Sequence, residues 1–157
     1  VSLGVLKNYG CNTLAVYIKV SVVPVATTVF VVNTNSNILS RSVAPLVSHV
    51  NVEGEVATVG ITQYAADALG EIVYVDLPKP GSSTSYMKIC GEIESTKSVG
   101  ELYAPMDGEV IEANTALGSS PEAINQDPYG AGWLIKIKYT QLPELLSAAE
   151  YSQLTGE

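Results

Sequence analysis

The chain has 157 residues, which is enough for one domain with a substantial core. Its net charge of −8, from 8 basic and 16 acidic residues, argues against nucleic acids and anionic membranes and favours partners with basic surfaces. The two cysteines, Cys11 and Cys90, lie far apart, and the single histidine, His49, stands in no nucleophile or ligand motif. The sequence therefore gives no support to a disulfide framework, a zinc site or a hydrolase.

Residues 1–47 differ in composition from the rest of the chain. They hold three basic residues and no acid, which leaves five basic and 16 acidic residues for the remainder. The apolar run 14–32 is almost long enough to span a bilayer, but Lys19 and Pro24 interrupt it. We rank three interpretations of the segment: a targeting-like sequence first, extra β-strands second and a membrane anchor third. The sequence predicts a boundary between this segment and a domain over residues 48–157.

The domain begins with strong local signals. Alternating apolar residues over 50–61 predict a hairpin that turns at Gly54. Thr62 is a candidate N-cap for a helix over 63–69, and Gly70 is a candidate left-handed stop for the same helix.

The remaining elements are mostly short strands between turn signals. Residues 120–124 predict a short helical turn, with Ser120 as its N-cap and Pro121 in the first helical position. A C-terminal helix is predicted over 143–154, and Ser147 is a candidate break in it. The predicted strands cover 72–75, 86–94, 98–103, 109–114 and 133–139. This pattern is typical of a compact β-sandwich to which small helices have been added.

Lys97 stands near the tip of the predicted hairpin over 86–103. No other lysine lies between Lys88 and Lys136, so Lys97 is presented alone. An exposed amine on a flexible stem is a good point for covalent attachment of a group that has to move between sites. The alternative is an ordinary solvated turn lysine, which is the usual role of a lysine in a hairpin.

The residues around Lys97 resemble the lipoyl/biotinyl carrier pattern. The sequence is Gly-Glu-Ile-Glu-Ser-Thr-Lys-Ser at 91–98, and Ala-Pro-Met-Asp-Gly-Glu-Val follows at 104–110. Biotinyl domains usually flank the lysine with methionines. Here the flanking residues are Thr96 and Ser98, which disfavours biotin.

A longer resemblance is to the glycine cleavage system H protein family. It covers Ala-Thr-Val-Gly-Ile-Thr at 57–62 and Tyr-Ala-Ala-Asp-Ala-Leu-Gly-Glu-Ile-Val-Tyr-Val at 64–75. It continues with Asn-Gln-Asp-Pro-Tyr-Gly-Ala-Gly-Trp-Leu-Ile-Lys-Ile at 125–137. The blocks follow in the family's order over roughly 52–154, so together they are much more specific than any one of them.

The resemblance implies both a fold and a role. The fold is mainly β, a lipoyl-domain-like barrel-sandwich hybrid of two small antiparallel sheets with short helices and a C-terminal helix. The role is that of a non-catalytic carrier with lipoate in amide linkage on Lys97. The implied partners are a pyridoxal-phosphate glycine decarboxylase, a tetrahydrofolate-dependent aminomethyltransferase, dihydrolipoyl dehydrogenase and a lipoate-attaching enzyme. The implied location is the mitochondrial matrix, which the acid-poor N-terminal segment favours, or the cytoplasm of a bacterium.

The resemblance also suggests roles for three neighbours of Lys97. Glu101 falls where the family places an acid that would shelter the ammonium of the loaded arm. Glu94 and Ser95 are assigned to recognition by the lipoate-attaching enzyme, with turn capping and solvation as the alternative. The family's His-Glu-Trp run is replaced here by Val-Ser-His at 47–49, so either the N-terminal segment is not the native one or the sheltering pocket is altered.

Two other functions stay open at this point. The chain could be a relay that passes lipoyl or octanoyl groups to other lipoyl proteins. It could also be an unmodified β-sandwich interaction module, held at a membrane by residues 14–32.

Overall fold

The computed structural model describes residues 13–16, 27–35, 48–143, 145–147 and 151. Helix α1 spans Gln63–Leu69 and helix α2 spans Ala123–Gln126, with a 3₁₀ turn at Thr115–Gly118 between them. The strands are β1 (Thr13–Val16), β2 (Thr27–Asn35), β3 (Ser48–Glu53), β4 (Val56–Ile61), β5 (Ile72–Asp76), β6 (Ser83–Thr84), β7 (Ile89–Ser95), β8 (Val99–Tyr103), β9 (Gly108–Ala113), β10 (Ile135–Tyr139) and β11 (Leu146–Ser147).

These strands form two antiparallel sheets around one core. The large sheet has the order β1-β2-β3-β4-β10-β9-β6, with β11 beside β2, and the small sheet has the order β5-β7-β8. Side chains from both sheets meet in a single buried cluster, which includes Val59 and Ile135 from the large sheet and Ile93 and Leu102 from the small one. The prediction of a mainly β barrel-sandwich of two antiparallel sheets is confirmed.

The local signals at the start of the domain are also confirmed. The β3–β4 hairpin turns at Gly54, whose φ of 62° is in the left-handed region that favours glycine. The Thr62 hydroxyl accepts a hydrogen bond from Ala65 N at 3.1 Å and so caps α1. Gly70 ends that helix with a φ of 79°.

Three predicted boundaries are wrong because other hydrogen bonds replace the expected ones. Strand β7 begins at Ile89 rather than at residue 86, because Lys88 N donates to Ser85 O at 3.0 Å and closes a turn. Helix α2 begins at Ala123, not at Pro121. Ser120 uses its carbonyl, which accepts Ala123 N at 3.2 Å in a 3₁₀-type turn, and its hydroxyl does not cap the helix. Strand β10 begins two residues later than predicted, because the carbonyl of Trp133 accepts the Asn114 side chain at 2.7 Å rather than a neighbouring strand.

The predicted C-terminal helix over 143–154 is wrong at residues 145–147, which lie in extended backbone. Leu146–Ser147 form β11, which pairs with β2 through Leu146 opposite Phe30 and Ser147 opposite Val29. This pairing gives the backbone of β11 partners that no local signal encodes, and it outweighs helix propensity. Tyr151 is helical and buried, while residues 148–150 and 152–157 lie outside the described residues.

Two pieces of the N-terminal segment 1–47 are described, and both are strands. β1 pairs with β2, and β2 pairs with β3, so these strands extend the large sheet. Their presence agrees with the second-ranked interpretation of the segment; the division at residue 48 stays a prediction. Among the described residues, no helix is long and apolar enough to cross a membrane, and the rest of the run 14–32 lies outside the described residues.

Candidate functional site

Lys97 is exposed in the turn that joins β7 to β8, and Ser95 organises that turn. Ser95 N donates to Ser98 O at 2.8 Å and closes the turn. The Ser95 hydroxyl oxygen accepts from Lys97 N at 3.2 Å and from Ser98 N at 3.0 Å, and it lies 3.0 Å from Ser98 O, to which it donates. The turn backbone is thereby held in one geometry while the lysine side chain reaches solvent.

The turn is attached to the loop that follows α1. Thr96 N donates to Glu71 O at 3.0 Å. The Lys97 side chain lies over Gly70: a Cβ at that position would come within 3.1 Å of Nζ and 3.2 Å of Cε. The absence of a side chain at Gly70 therefore leaves room for the lysine stem.

Asn125 on α2 braces this loop from the other side. Its Nδ2 donates to Gly70 O at 2.8 Å and its Oδ1 accepts from Ile72 N at 3.0 Å. The amide thus fixes both residues next to Glu71, whose carbonyl holds the lysine turn. Asn125 is not among the site residues predicted from the sequence. The available signal was its position at the head of the block 125–137 that resembles the family.

Glu94 and Glu101 lie on the outer face of the small sheet. Glu94 is half-buried and stands opposite Val99 on β8. Glu101 stands opposite Glu92 and accepts a hydrogen bond from the Tyr103 hydroxyl. That hydrogen bond, helped by burial and by the carboxylate charge, raises the pKa of Tyr103 to about 12. Glu101 therefore presents its charge four residues after Lys97 in a defined orientation.

His49 occupies the region where the altered pocket was predicted. Its side chain is buried, its Nδ1 donates to Ile61 O at 3.0 Å, and its ring packs against Tyr129 with centroids 4.8 Å apart. Burial lowers the pKa of His49, although the bond to Ile61 O opposes this effect. The ring is thus packed against its neighbours, its charged form is disfavoured, and it supplies no carboxylate.

We also searched the described part of the chain for a metal site, a reactive cysteine and a ligand groove. No group of three or more His, Cys, Asp or Glu side chains there is arranged to hold a metal ion. Burial raises the pKa of the Cys90 thiol to about 11, so it stays protonated and weakly nucleophilic at neutral pH. A groove of about 280 Å³ is lined mainly by uncharged residues, among them Leu77, Pro78 and Leu117.

Comparisons with known proteins agree with this geometry. The family model of the glycine cleavage H-protein matches residues 42–157. Glycine cleavage system H proteins are 56% identical over 108 residues in Clavibacter sepedonicus and 47% identical over 111 residues in Staphylococcus epidermidis. Each match covers 69% of this chain and 88% of the relative. The crystal structure of a glycine cleavage system H protein from Mycobacterium marinum superposes with a TM-score of 0.67 at 41% identity, over 70% of this chain and 91% of that one. The chain therefore belongs to the glycine cleavage H-protein family.

Proposed function

We propose that Lys97 is the lipoyl attachment site through which this chain works as the shuttle protein of glycine cleavage. Membership of the family carries the role of lipoyl carrier in that system. The observation that supports Lys97 as the attachment residue is its presentation, alone and exposed, on a turn whose backbone is fixed by Ser95 and by Glu71 O. A modifying enzyme meets such an amine in one geometry, so little ordering is needed on binding.

The residues present fit an amide-linked lipoyl group. The stem of Lys97 has space over Gly70, and acylation of Nζ would remove its charge and leave a long flexible arm. Attached to Lys97, lipoate would supply a disulfide that is reduced as one of its sulfurs takes up the aminomethyl group of glycine, and the dithiol left after unloading would be reoxidised by dihydrolipoyl dehydrogenase. Tethering the group to the domain raises its effective concentration at each partner's site.

Three neighbours of Lys97 have proposed roles in this carrier. Ser95 fixes the turn, and Glu94 beside it offers a carboxylate to the lipoate-attaching enzyme. Glu101 offers a carboxylate to the ammonium that the loaded arm carries, with the Tyr103 hydroxyl bond setting its orientation. The Val-Ser-His run at 47–49, which stands in place of the family's His-Glu-Trp run, has no carboxylate, so Glu101 is the acid assigned to this task.

The chain is proposed to be acted on by enzymes rather than to catalyse a step itself. Its partners belong to the glycine cleavage system. We propose that they are the pyridoxal-phosphate glycine decarboxylase, the tetrahydrofolate-dependent aminomethyltransferase, dihydrolipoyl dehydrogenase and a lipoate-attaching enzyme. The compared relatives are bacterial, which favours the cytoplasm of a bacterium and gives no support to a mitochondrial location.

The experiment is a reconstituted glycine-cleavage assay with the chain and purified partner enzymes. Wild-type chain that has been treated with a lipoate-attaching enzyme should support release of carbon dioxide from glycine. Lys97→Arg keeps the charge but has no acylable amine, so it should be inactive, and Lys88→Arg is the matched control. Equal activity of Lys97→Arg and the wild type would disprove the assignment.

A further inference from the structure

The outer face of the small sheet carries exposed apolar side chains directly behind the lysine turn. Along β7 and β8, Ile93 and Leu102 point inward and are fully buried, so their neighbours point outward. Tyr74, Glu94 and Val99 stand opposite one another across the three strands in the row next to the turn. Tyr74 is 53% exposed and Val99 is 41% exposed. Tyr74 and Val99 flank Glu94 in this row, which is called the apolar row here for its two exposed apolar side chains, and exposed apolar groups close together mark a candidate contact surface.

A row of carboxylates lies behind this apolar row. Asp76 stands opposite Glu92, which stands opposite Glu101 on the next strand. Like charges that face each other across strands destabilise a sheet. The ion pairs found among the described residues, Lys136 with Glu112 and Lys138 with Glu55, lie on the large sheet and involve none of the three. The row therefore has a cost in stability that a basic partner would offset on binding.

The distance that the Lys97 side chain can span, before and after lipoylation, indicates which partner this face fits. The amine of unmodified Lys97 extends only as far as its own side chain, which lies back over Gly70. An enzyme that acylates the amine has to bring its active site to the turn, so its surface has to cover the residues behind the turn. Dihydrolipoyl dehydrogenase acts on the far end of the finished arm, so its target lies beyond the turn.

We propose that Tyr74, Val99, Asp76, Glu92 and Glu101 form a docking face for the lipoate-attaching enzyme. This inference rests on the proposed function of Lys97. The apolar row makes the central contact, and the carboxylate row faces lysine and arginine side chains at the rim of the enzyme. Charge at the rim speeds encounter and sets orientation, while the buried apolar contact supplies affinity.

The first test measures lipoyl transfer to the purified chain by a lipoate–protein ligase supplied with lipoate and ATP. Tyr74→Ser and Val99→Ser should each raise the KM for the chain, about tenfold together, with kcat within twofold, because the face binds and takes no part in the chemistry. Matched controls remove similar exposed side chains elsewhere: Tyr64→Ser on α1 and Ile111→Ser on β9, which are 47% and 42% exposed in the wild type. These should leave KM unchanged.

The second test separates docking from folding. Glu92→Gln removes one charge from the carboxylate row, so it should raise the thermal midpoint while raising the KM for the chain, most clearly at low salt. Glu109→Gln on β9 is the control for a lost surface charge. Once lipoylated, the Tyr74→Ser chain should be reduced by dihydrolipoyl dehydrogenase with NADH as the electron donor at the wild-type rate, since that enzyme acts at the end of the arm.

Two outcomes would overturn the inference and leave the proposed function intact. One is a KM for Tyr74→Ser with Val99→Ser equal to that of the Tyr64 and Ile111 controls. The other is a lipoylation rate for Glu92→Gln that matches the wild type at every salt concentration. Failure of the wild-type chain to acquire a lipoyl group on Lys97 would instead overturn the proposed function and this inference with it.

Discussion

Asn125→Ala should loosen the lysine turn without touching Lys97. The Asn125 amide donates to Gly70 O at 2.8 Å and accepts from Ile72 N at 3.0 Å. Between these two residues lies Glu71, whose carbonyl accepts Thr96 N at 3.0 Å. Removing the amide frees the loop on both sides of that carbonyl, so the effect should pass from α2 to the tip of the hairpin.

The expected loss in the free energy of unfolding follows from the hydrogen bonds that Asn125→Ala removes and from the backbone groups that it leaves unpaired. Two hydrogen bonds of about 0.5–1.5 kcal/mol each are lost, and a buried amide without a partner costs a further 1–3 kcal/mol or so. Ile72 is only 1% exposed, so water does not easily replace the lost acceptor. We expect the free energy of unfolding to fall by about 2–6 kcal/mol and the thermal midpoint to fall by roughly 4–24 °C.

The assay is urea unfolding together with hydrogen exchange of single amides. Gln126→Ala is the matched control, because Gln126 is the exposed neighbour of Asn125 on the same helix. In Asn125→Ala the Thr96 amide should exchange much faster than in the control, and lipoylation of the chain should slow. Unfolding and Thr96 exchange identical to those of Gln126→Ala would refute the reasoning.

Three further predictions concern the turn, the buried histidine and the thiol. Ser95→Ala removes the acceptor for two turn amides; it should lower stability by about 1–2 kcal/mol and slow lipoylation, and a wild-type rate in a gel-shift or mass assay would contradict this. Burial lowers the pKa of His49 below its usual 6.5, so the unfolded chain binds the proton more tightly, and stability should be complete above about pH 6.5 and fall as the pH drops further. Urea unfolding from pH 5 to 7.5 should show this slope in the wild type and lose it in His49→Phe; an unchanged slope would contradict the assignment. With a thiol pKa of about 11, Cys90 in a Cys11→Ser chain should react with iodoacetamide far more slowly than free cysteine at pH 8, and equal rates would show that the thiol is accessible and ionised.

The parts of the fold that the sequence predicted correctly depend on local signals. The turn at Gly54, the cap at Thr62 and the stop at Gly70 each need only residues within a few positions of one another. Alternation along β7 and β8 placed Lys97 near the tip of a hairpin for the same reason. Family resemblance then supplied the arrangement of the two sheets, which short-range patterns alone do not fix.

The parts that were missed depend on long-range contacts. β11 forms because the backbone at Leu146 pairs with the backbone at Phe30 on β2. Nothing in the sequence near Leu146 distinguishes this strand from a helix. The brace from Asn125 to Gly70 joins residues 55 positions apart. The cross-strand row of Asp76, Glu92 and Glu101 follows from register, which the sequence of each strand leaves undetermined.

The measurement that tests the central claim most directly is the intact mass of the chain from its native host, followed by mapping of the Lys97 peptide. We predict a mass increase of one lipoyl group located on Lys97 and on no other lysine. An unmodified Lys97, in a host that lipoylates its other carrier domains, would contradict the account.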